Sequence, residues 1–142
     1  KEIIQLLRQR SRPYLFSNNV LPMTAAVGIA IIEMIKKSQS LIKTLAENTN
    51  YFREKMVQNG FEIRPSTHPV VAVMFHDEIL ATNFAKMMIE EENIYVVAFS
   101  YPVVPKNEAR IRVQISASHE KEHLDKAIAA FTMVGNKLGV IK

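Results

Sequence analysis

The stretch "ARIRVQIS", residues 109–116, decides the fold of this chain. Its apolar and polar side chains alternate, which is the pattern of a β-strand that turns one face to a core. The polar face carries Arg110, Arg112 and Gln114. An arginine offers a planar fork that meets a carboxylate with two parallel hydrogen bonds. This face therefore either meets water or presents one guanidinium to an anionic ligand, and the strand by itself does not choose between Arg110 and Arg112.

The composition is that of one globular domain. The chain has 142 residues, of which 48% are hydrophobic and 23% are charged, and this excludes a disordered chain. It has no cysteine, so neither a disulfide framework nor a thiolate metal site is expected, and a reducing compartment is favoured. The net charge of +4 is scattered and lacks the basic block that marks nucleic-acid contact. The longest apolar run, residues 20–35, contains Pro22 and Glu33, so we predict a buried helix there and no membrane span.

Strand and helix patterns alternate around the opening stretch. Three further stretches predict strands, and these are "FEIRP" at 61–65, "VVAVMF" at 70–75 and "NIYVVAF" at 93–99. Asp77 is predicted to cap a helix that ends near Glu92 and turns Ile79 inward, and Ser118 to cap the last helix. The order strand, strand, helix, strand, strand, helix predicts an α+β domain. We expect a small mixed or antiparallel sheet with helices packed on one face.

The N-terminal part predicts helices of a different kind. Residues 1–10 and 23–37 have helical patterns, separated by a break that two prolines bracket. The second of these helices is apolar nearly all round, so we expect more than one partner to cover it. The chain opens inside a helical pattern without an initiator methionine or a signal peptide, and we therefore expect it to be a fragment of something longer.

Two of the four histidines belong to a motif, and the other two are isolated candidates for a catalytic role. "HEKEH", residues 119–123, matches the zinc-protease pattern H-E-x-x-H. It lies in the first turn of a predicted helix, where its two glutamates favour the positive helix start. We interpret it as a solvated helix start and predict no metal site. His68 and His76 have no neighbouring nucleophile or carboxylate pair, so structural roles are favoured for both.

A polar turn follows Phe16 and precedes the apolar helix. It consists of Ser17, Asn18 and Asn19. Hydroxyl, amide and free backbone N–H groups near a helix start suit an anion or a phosphate. The same residue types also make ordinary turns, so both interpretations stay open on the residues alone.

Three longer stretches resemble the C-terminal part of the α-oxoamine synthases, which use pyridoxal 5'-phosphate. They are "RSRPYLFSNNVLP" at 10–22, "YPVVPKNEARIRVQISASH" at 101–119 and "AFTMVGNKLGVI" at 130–141. The similarity runs through all 142 residues. It implies the small C-terminal domain of a fold type I enzyme, the fold of aspartate aminotransferase, preceded by a long connecting helix. Residues 1–37 would link to a large cofactor domain, and residues 38–142 would form the small domain.

The resemblance also implies an activity. The member that these stretches resemble most condenses glycine with acetyl-CoA to 2-amino-3-ketobutyrate and CoA, and runs the reverse cleavage in threonine degradation. It would be a homodimer that shares its active site between subunits, cytoplasmic in bacteria and mitochondrial in animals. A sister synthase that makes aminolevulinate or aminooxononanoate is an alternative. A free-standing α+β regulatory module with a carboxylate ligand at Arg112 is the alternative from another class of protein.

The resemblance implies roles for individual residues as well. Arg112 matches the position that grips the carboxylate of the amino-acid substrate, which leaves Arg110 a structural or solvent role. Ser17 and Asn18 match a turn that reaches the cofactor phosphate of the other subunit. The Schiff-base lysine of the family lies upstream, and residues 1–16 contain only Lys1, in no matching motif. We therefore expect no catalytic residue in this chain, and no activity from the chain alone.

Overall fold

Two units make up the chain in a computed structural model that describes residues 1–16 and 20–141. They are Lys1–Gln39 and Ser40–Lys142. The first unit contains three helices, which are α1 (Glu2–Arg10), α2 (Arg12–Phe16) and α3 (Pro22–Lys37). The prediction of a buried helix at 20–35 is not met within this unit, because α3 has no buried residue, and the expectation that further partners cover α3 stays a prediction.

No helix among residues 1–16 and 20–141 is long and apolar enough to cross a membrane.

The second unit is an α+β structure built on one small sheet. Its elements are α4 (Ser40–Gln58), β1 (Val70–His76), α5 (Glu78–Glu90), β2 (Val97–Phe99), β3 (Ala109–Gln114) and α6 (Lys121–Lys137). The strand order is β1-β3-β2, and both pairs are antiparallel. The predicted fold class is confirmed, with the opening stretch as the central strand.

The two faces of the sheet differ as the alternation in β3 predicts. Ala109 and Ile111 are buried on the inner face, together with Val71 and Val73 of β1. Helices α4, α5 and α6 pack against that face and against one another. The outer face carries the polar residues of β3, of which Arg112 and Gln114 are exposed.

Phenylalanine rings fill the space between the sheet and the helices. Phe131 of α6 lies at the centre, with ring centroids 5.2 Å from Phe84, 5.9 Å from Phe61 and 6.4 Å from Phe52. All four rings are buried. Edge-on and tilted ring pairs of this kind add stability beyond the area that they bury. These rings belong to the core on the inner face of the sheet.

The boundaries of several elements differ from the prediction. Residues 61–65 form a single bridge, Ile63 to Val73, instead of a strand, since the proline at their end cannot donate to a ladder. The strand predicted at 93–99 is paired only over β2, and Asn93 at the start of the stretch has a left-handed φ of 55° that does not belong to a strand.

The helix starts are partly as predicted. Asp77 is the N-cap of α5, and its Oδ1 accepts a hydrogen bond of 2.7 Å from the N–H of Leu80. Ile79 in the first turn is 72% exposed, so the prediction that it turns inward is wrong. Ser118 is not the N-cap of α6, because the helix begins one residue after Glu120. Ser118 bonds to Ser116 instead, with 2.8 Å between the two Oγ atoms.

Candidate functional site

Arg112 lies in the middle of the outer face of the sheet. Its Cα is paired with Ala72 on β1 and with Val97 on β2, so its own strand is held on both sides. Phe99 is two residues beyond Val97 and therefore lies on the same face, diagonally across from Arg112. The guanidinium carbon of Arg112 is 4.2 Å from the centroid of the Phe99 ring. The sheet thus fixes both the base of this side chain and the position of its head.

The guanidinium of Arg112 is exposed and has no hydrogen-bond or ion-pair partner among residues 1–16 and 20–141. Stacking on an aromatic ring occupies one π-face of a guanidinium and leaves the N–H groups at its edge free. An oriented, unpaired fork of this kind is suited to a carboxylate, which it meets with two parallel hydrogen bonds.

Two pockets adjoin Arg112. The larger, of about 500 Å³, lies beside the edge of β2 and α6, and the smaller, of about 400 Å³, lies towards β1. The lining of the larger pocket includes apolar groups such as Val97, the cationic side chains of Lys126 and Arg112, and the two histidines of the 119–123 motif. No aspartate or glutamate of the described residues lines either pocket. The local charge therefore favours an anionic ligand at Arg112.

Arg110 has the same orientation on the strand but a different environment. Its side chain is only 11% exposed, and its Nη1 lies 3.7 Å from the carboxylate of Glu108. The same Oε2 of Glu108 accepts a bond of 2.9 Å from Nη1 of Arg64. The Nε of Arg110 is buried and has no partner among the described residues. Burial and this shared carboxylate distinguish Arg110 from the exposed, unpaired Arg112.

The two histidines of the H-E-x-x-H motif serve the backbone around the start of α6. Nδ1 of His119 accepts a bond of 3.2 Å from the N–H of Ser116, and Nδ1 of His123 accepts one of 3.1 Å from the N–H of Glu120. In the part of the chain that the structure describes, no group of three potential ligands could hold a metal ion. The interpretation of the motif as a helix start agrees with these bonds.

His76 and His68 both have structural partners. His76 ends β1 with a left-handed φ of 64°, and its ring bridges Glu62 and Asn107 at 2.9 and 3.1 Å. The hydrogen bond to Glu62, followed by that to the Asn107 carbonyl, raises the pKa of His76. Nδ1 of His68 accepts a bond of 3.1 Å from the N–H of Val70. Neither ring is placed beside a nucleophile in these contacts.

Ser17 and Asn18, the proposed phosphate contacts, lie outside the described residues. Their role stays a prediction.

A model of the aminotransferase class I and II family matches residues 1–131. The chain belongs to the aminotransferase class I and II family. The chain spans about a third of the length of the curated relatives that it matches.

Three relatives of this aminotransferase-family chain illustrate its similarity. It is 45% identical to the 2-amino-3-ketobutyrate coenzyme A ligase of Escherichia coli K12, covering 99% of this chain and 35% of that protein. It is 42% identical to the mitochondrial enzyme of the same name from Mus musculus, covering 98% and 33%. It is also 43% identical to the 8-amino-7-oxononanoate synthase of Thermosipho melanesiensis, covering 99% and 36%.

The solved structures extend the likeness to the fold. A serine palmitoyltransferase from S. paucimobilis with a bound PLP–myriocin adduct superposes with a TM-score of 0.88 at 22% identity. The match covers 99% of this aminotransferase-family chain and 36% of that one. At this identity the comparison concerns the fold alone. It is the fold type I arrangement that the resemblance implied, matched over one part of a longer chain.

Sequence reasoning missed the surroundings of Arg112. It did not find the stacking of Phe99, or the residues Arg64, Ser66 and His68 that line the smaller pocket of this aminotransferase-family chain. No local signal marks these groups, because they meet Arg112 only through strand pairing. The aromatic residue at the end of "NIYVVAF" was the one available hint, since an aromatic side chain on a neighbouring strand can stack on an arginine.

Proposed function

We propose that this chain is the C-terminal part of a pyridoxal-phosphate-dependent acyltransferase, a glycine C-acetyltransferase. The complete protein would condense glycine with acetyl-CoA to 2-amino-3-ketobutyrate and CoA, and would catalyse the reverse cleavage in threonine degradation. The relatives named 2-amino-3-ketobutyrate coenzyme A ligase, at 45% and 42% identity, support this reaction. A homodimer with a shared active site is part of the proposal.

One observation carries the role of this chain in that reaction. The Arg112 guanidinium is stacked on Phe99, unpaired among the described residues, and flanked by pockets that no described carboxylate lines. Such a group binds the carboxylate of an amino acid by two charge-assisted hydrogen bonds. Holding glycine at its carboxylate restricts the rotation of the reacting carbon, which supplies orientation rather than proton transfer. Arg112 is thus proposed as a substrate-binding residue.

The described residues fit the amino-acid carboxylate and do not by themselves fit the cofactor ring. The pockets beside Arg112 offer guanidinium groups for an anion but no described carboxylate that would pair with a pyridine nitrogen. Pyridoxal phosphate, when bound, supplies an electron sink for a carbanion formed from glycine. In the proposal Ser17 and Asn18 contact its phosphate, and the lysine that carries it lies in a part of the protein upstream of this chain.

An aminooxononanoate synthase is the second candidate, because a relative of that name is 43% identical over the same span. The two candidates share the carboxylate-binding role of Arg112 and differ in the amino acid and acyl group. One assay of the complete protein separates them. Glycine, alanine and serine are each combined with acetyl-CoA and with longer acyl-CoAs, and CoA release is followed. The proposal expects the highest kcat/KM with glycine and acetyl-CoA, and a clear preference for a longer acyl group would overturn it.

A further inference from the structure

The smaller pocket beside Arg112 is lined by more positive groups than one carboxylate needs. Its polar lining consists of Arg64, Ser66, His68, Arg110 and Arg112. These residues come from two places in the chain, the loop that precedes β1 and the outer face of β3. The pocket therefore joins two elements of the same unit, and its volume is about 400 Å³.

The polar groups of this lining that are still free to form hydrogen bonds are donors. Oγ of Ser66 accepts a bond of 3.0 Å from the N–H of His68, which leaves the hydroxyl proton available. Nδ1 of His68 accepts from the N–H of Val70, so the proton of the neutral ring is on Nε2 and can be donated. The guanidinium groups have no acceptor atoms at all. A ligand of this pocket must accept hydrogen bonds.

The charges around the pocket are not balanced within the described residues. Arg64 and Arg110 share one carboxylate, that of Glu108, at 2.9 and 3.7 Å, while Arg112 has none. Three guanidinium groups thus face a single anion. The Nε of Arg110 is buried without a partner, and a buried N–H group without an acceptor is costly. An anion in the pocket would reduce this imbalance.

The loop that carries Arg64, Ser66 and His68 is held in place without a ligand. Arg53 on α4 donates from Nη1 to the carbonyl of Arg64 at 3.3 Å and from Nη2 to the carbonyl of His68 at 2.8 Å. The N–H of Arg64 also donates to the carbonyl of Ala72 on β1 at 3.0 Å. Donors that are fixed before binding lose little conformational freedom when a ligand arrives.

We propose that this pocket binds a phosphate group, with Arg64, Ser66, His68 and Arg110 as its donors and Arg112 at its rim. A phosphate has several acceptor oxygens and carries more than one negative charge near neutral pH. It therefore matches both the number of donors and the excess charge, whereas one carboxylate is matched by one guanidinium. The phosphate belongs either to a free small anion or to a phosphate-bearing co-substrate such as CoA, since both present the same oxygens.

Titration of the complete protein tests the site without any measurement of activity. Inorganic phosphate, CoA and dephospho-CoA are titrated calorimetrically at constant ionic strength, because added salt screens exposed charges. The variants are Arg64→Gln and Ser66→Ala. The matched control is Lys86→Gln, which removes an exposed cation of α5 that lies outside the pocket lining. Circular dichroism checks that each variant is folded.

We expect Arg64→Gln to weaken phosphate binding about tenfold or more, because it removes a charge-assisted hydrogen bond. Ser66→Ala should weaken it by a smaller factor, and Lys86→Gln should leave it unchanged. A parallel loss of CoA affinity supports the co-substrate as the source, and unchanged CoA affinity supports a free anion. Absence of phosphate binding to the natural protein at millimolar concentration, or equal binding by Arg64→Gln, overturns the site. The assay of the natural protein with glycine and acetyl-CoA tests the proposed function separately from these titrations.

Discussion

The guanidinium of Arg112 lies over the ring of Phe99, with 4.2 Å between the guanidinium carbon and the ring centroid. The antiparallel register of β2 and β3 sets this contact, because it pairs Val97 with Arg112 and Phe99 with Arg110. The contact restrains a long side chain that otherwise has many rotamers, and it leaves the edge of the guanidinium free. It is the structural basis for the proposed binding of a substrate carboxylate.

Replacement of Arg112 by lysine should raise the KM for glycine strongly in the complete protein. Lysine keeps the positive charge but cannot form two parallel hydrogen bonds in one plane. Loss of a charge-assisted bond of about 1.5–3 kcal/mol corresponds to a KM increase of about 10- to 100-fold. Steady-state kinetics with varied glycine provides the measurement. Unchanged glycine kinetics in Arg112→Lys would show that the assigned role is wrong, and affinity for the cofactor should stay the same in either case.

Replacement of Phe99 by leucine should have a smaller effect of the same kind. Leucine keeps an apolar group under the guanidinium but removes the aromatic face, whose attraction at an exposed site is about 0.5–1 kcal/mol. We expect the KM for glycine to rise about two- to fivefold. Phe99→Tyr is the matched control, because it keeps the aromatic ring and should therefore leave the KM for glycine unchanged. A tyrosine variant as impaired as the leucine variant would contradict the stacking role.

The contacts of His76 predict a pH-dependent stability. Its Nε2 faces the carboxylate of Glu62 and its Nδ1 faces the carbonyl of Asn107, and only the protonated ring donates from both nitrogens. The bond to Glu62 raises the pKa of His76 above its usual 6.5, with further contributions from Asn107 and Glu108. Because the folded pKa exceeds the unfolded one, this stabilisation is complete below about pH 6.5 and is lost as pH rises through the folded pKa.

Urea unfolding of the natural protein and His76→Gln between pH 6 and pH 9 measures this effect. The difference in the free energy of unfolding should be largest near the lower end, about pH 6, and shrink as the pH rises. Glu62→Gln is the control, and it should lower the pKa of His76 in an NMR titration. A stability difference that does not change with pH would mean that the ring is not protonated in its bridging position.

Gly135 in α6 has too little room beside it for the methyl group of an alanine. A Cβ atom there would lie 2.8 Å from Cζ of Phe61 and 3.2 Å from Cδ1 of Ile141. Alanine favours a helix by about 1 kcal/mol over glycine, while overpacking of a core costs about 1–3 kcal/mol. Because Phe61 is itself enclosed by Phe84 and Phe131, we expect Gly135→Ala to lower the free energy of unfolding.

A double-mutant cycle checks the cause of that loss. Phe61→Leu removes the Cζ atom, so Gly135→Ala should be less costly in the Phe61→Leu background than alone. Denaturant unfolding of the four proteins gives the coupling energy. Equal costs in the two backgrounds would rule out a clash with Phe61.

Much of the secondary structure was predictable because its signals are local. The alternation in "ARIRVQIS" is a period of two that every β-strand shows, and β3 follows it. The cap at Asp77 acts over three residues and was found for the same reason. The strand expected at 61–65 was not formed, and β2 was shorter than its pattern, since apolar residues alone do not specify how many of them find a partner strand.

The amino-acid sequence alone determined the α+β architecture, the resemblance to the α-oxoamine synthases and the face of β3 that carries both arginines. The resemblance gave the two arginines different roles, but only the tertiary structure shows their different surroundings, because strand pairing brings distant residues beside them. Arg110 is largely buried and shares the carboxylate of Glu108 with Arg64, while Arg112 is stacked on Phe99 and adjoins two pockets. Periodicity reports the direction in which a side chain points. The register between strands decides which groups a side chain contacts on that face. It therefore decides that, of these two arginines, Arg112 is the one whose guanidinium has no carboxylate partner among the described residues.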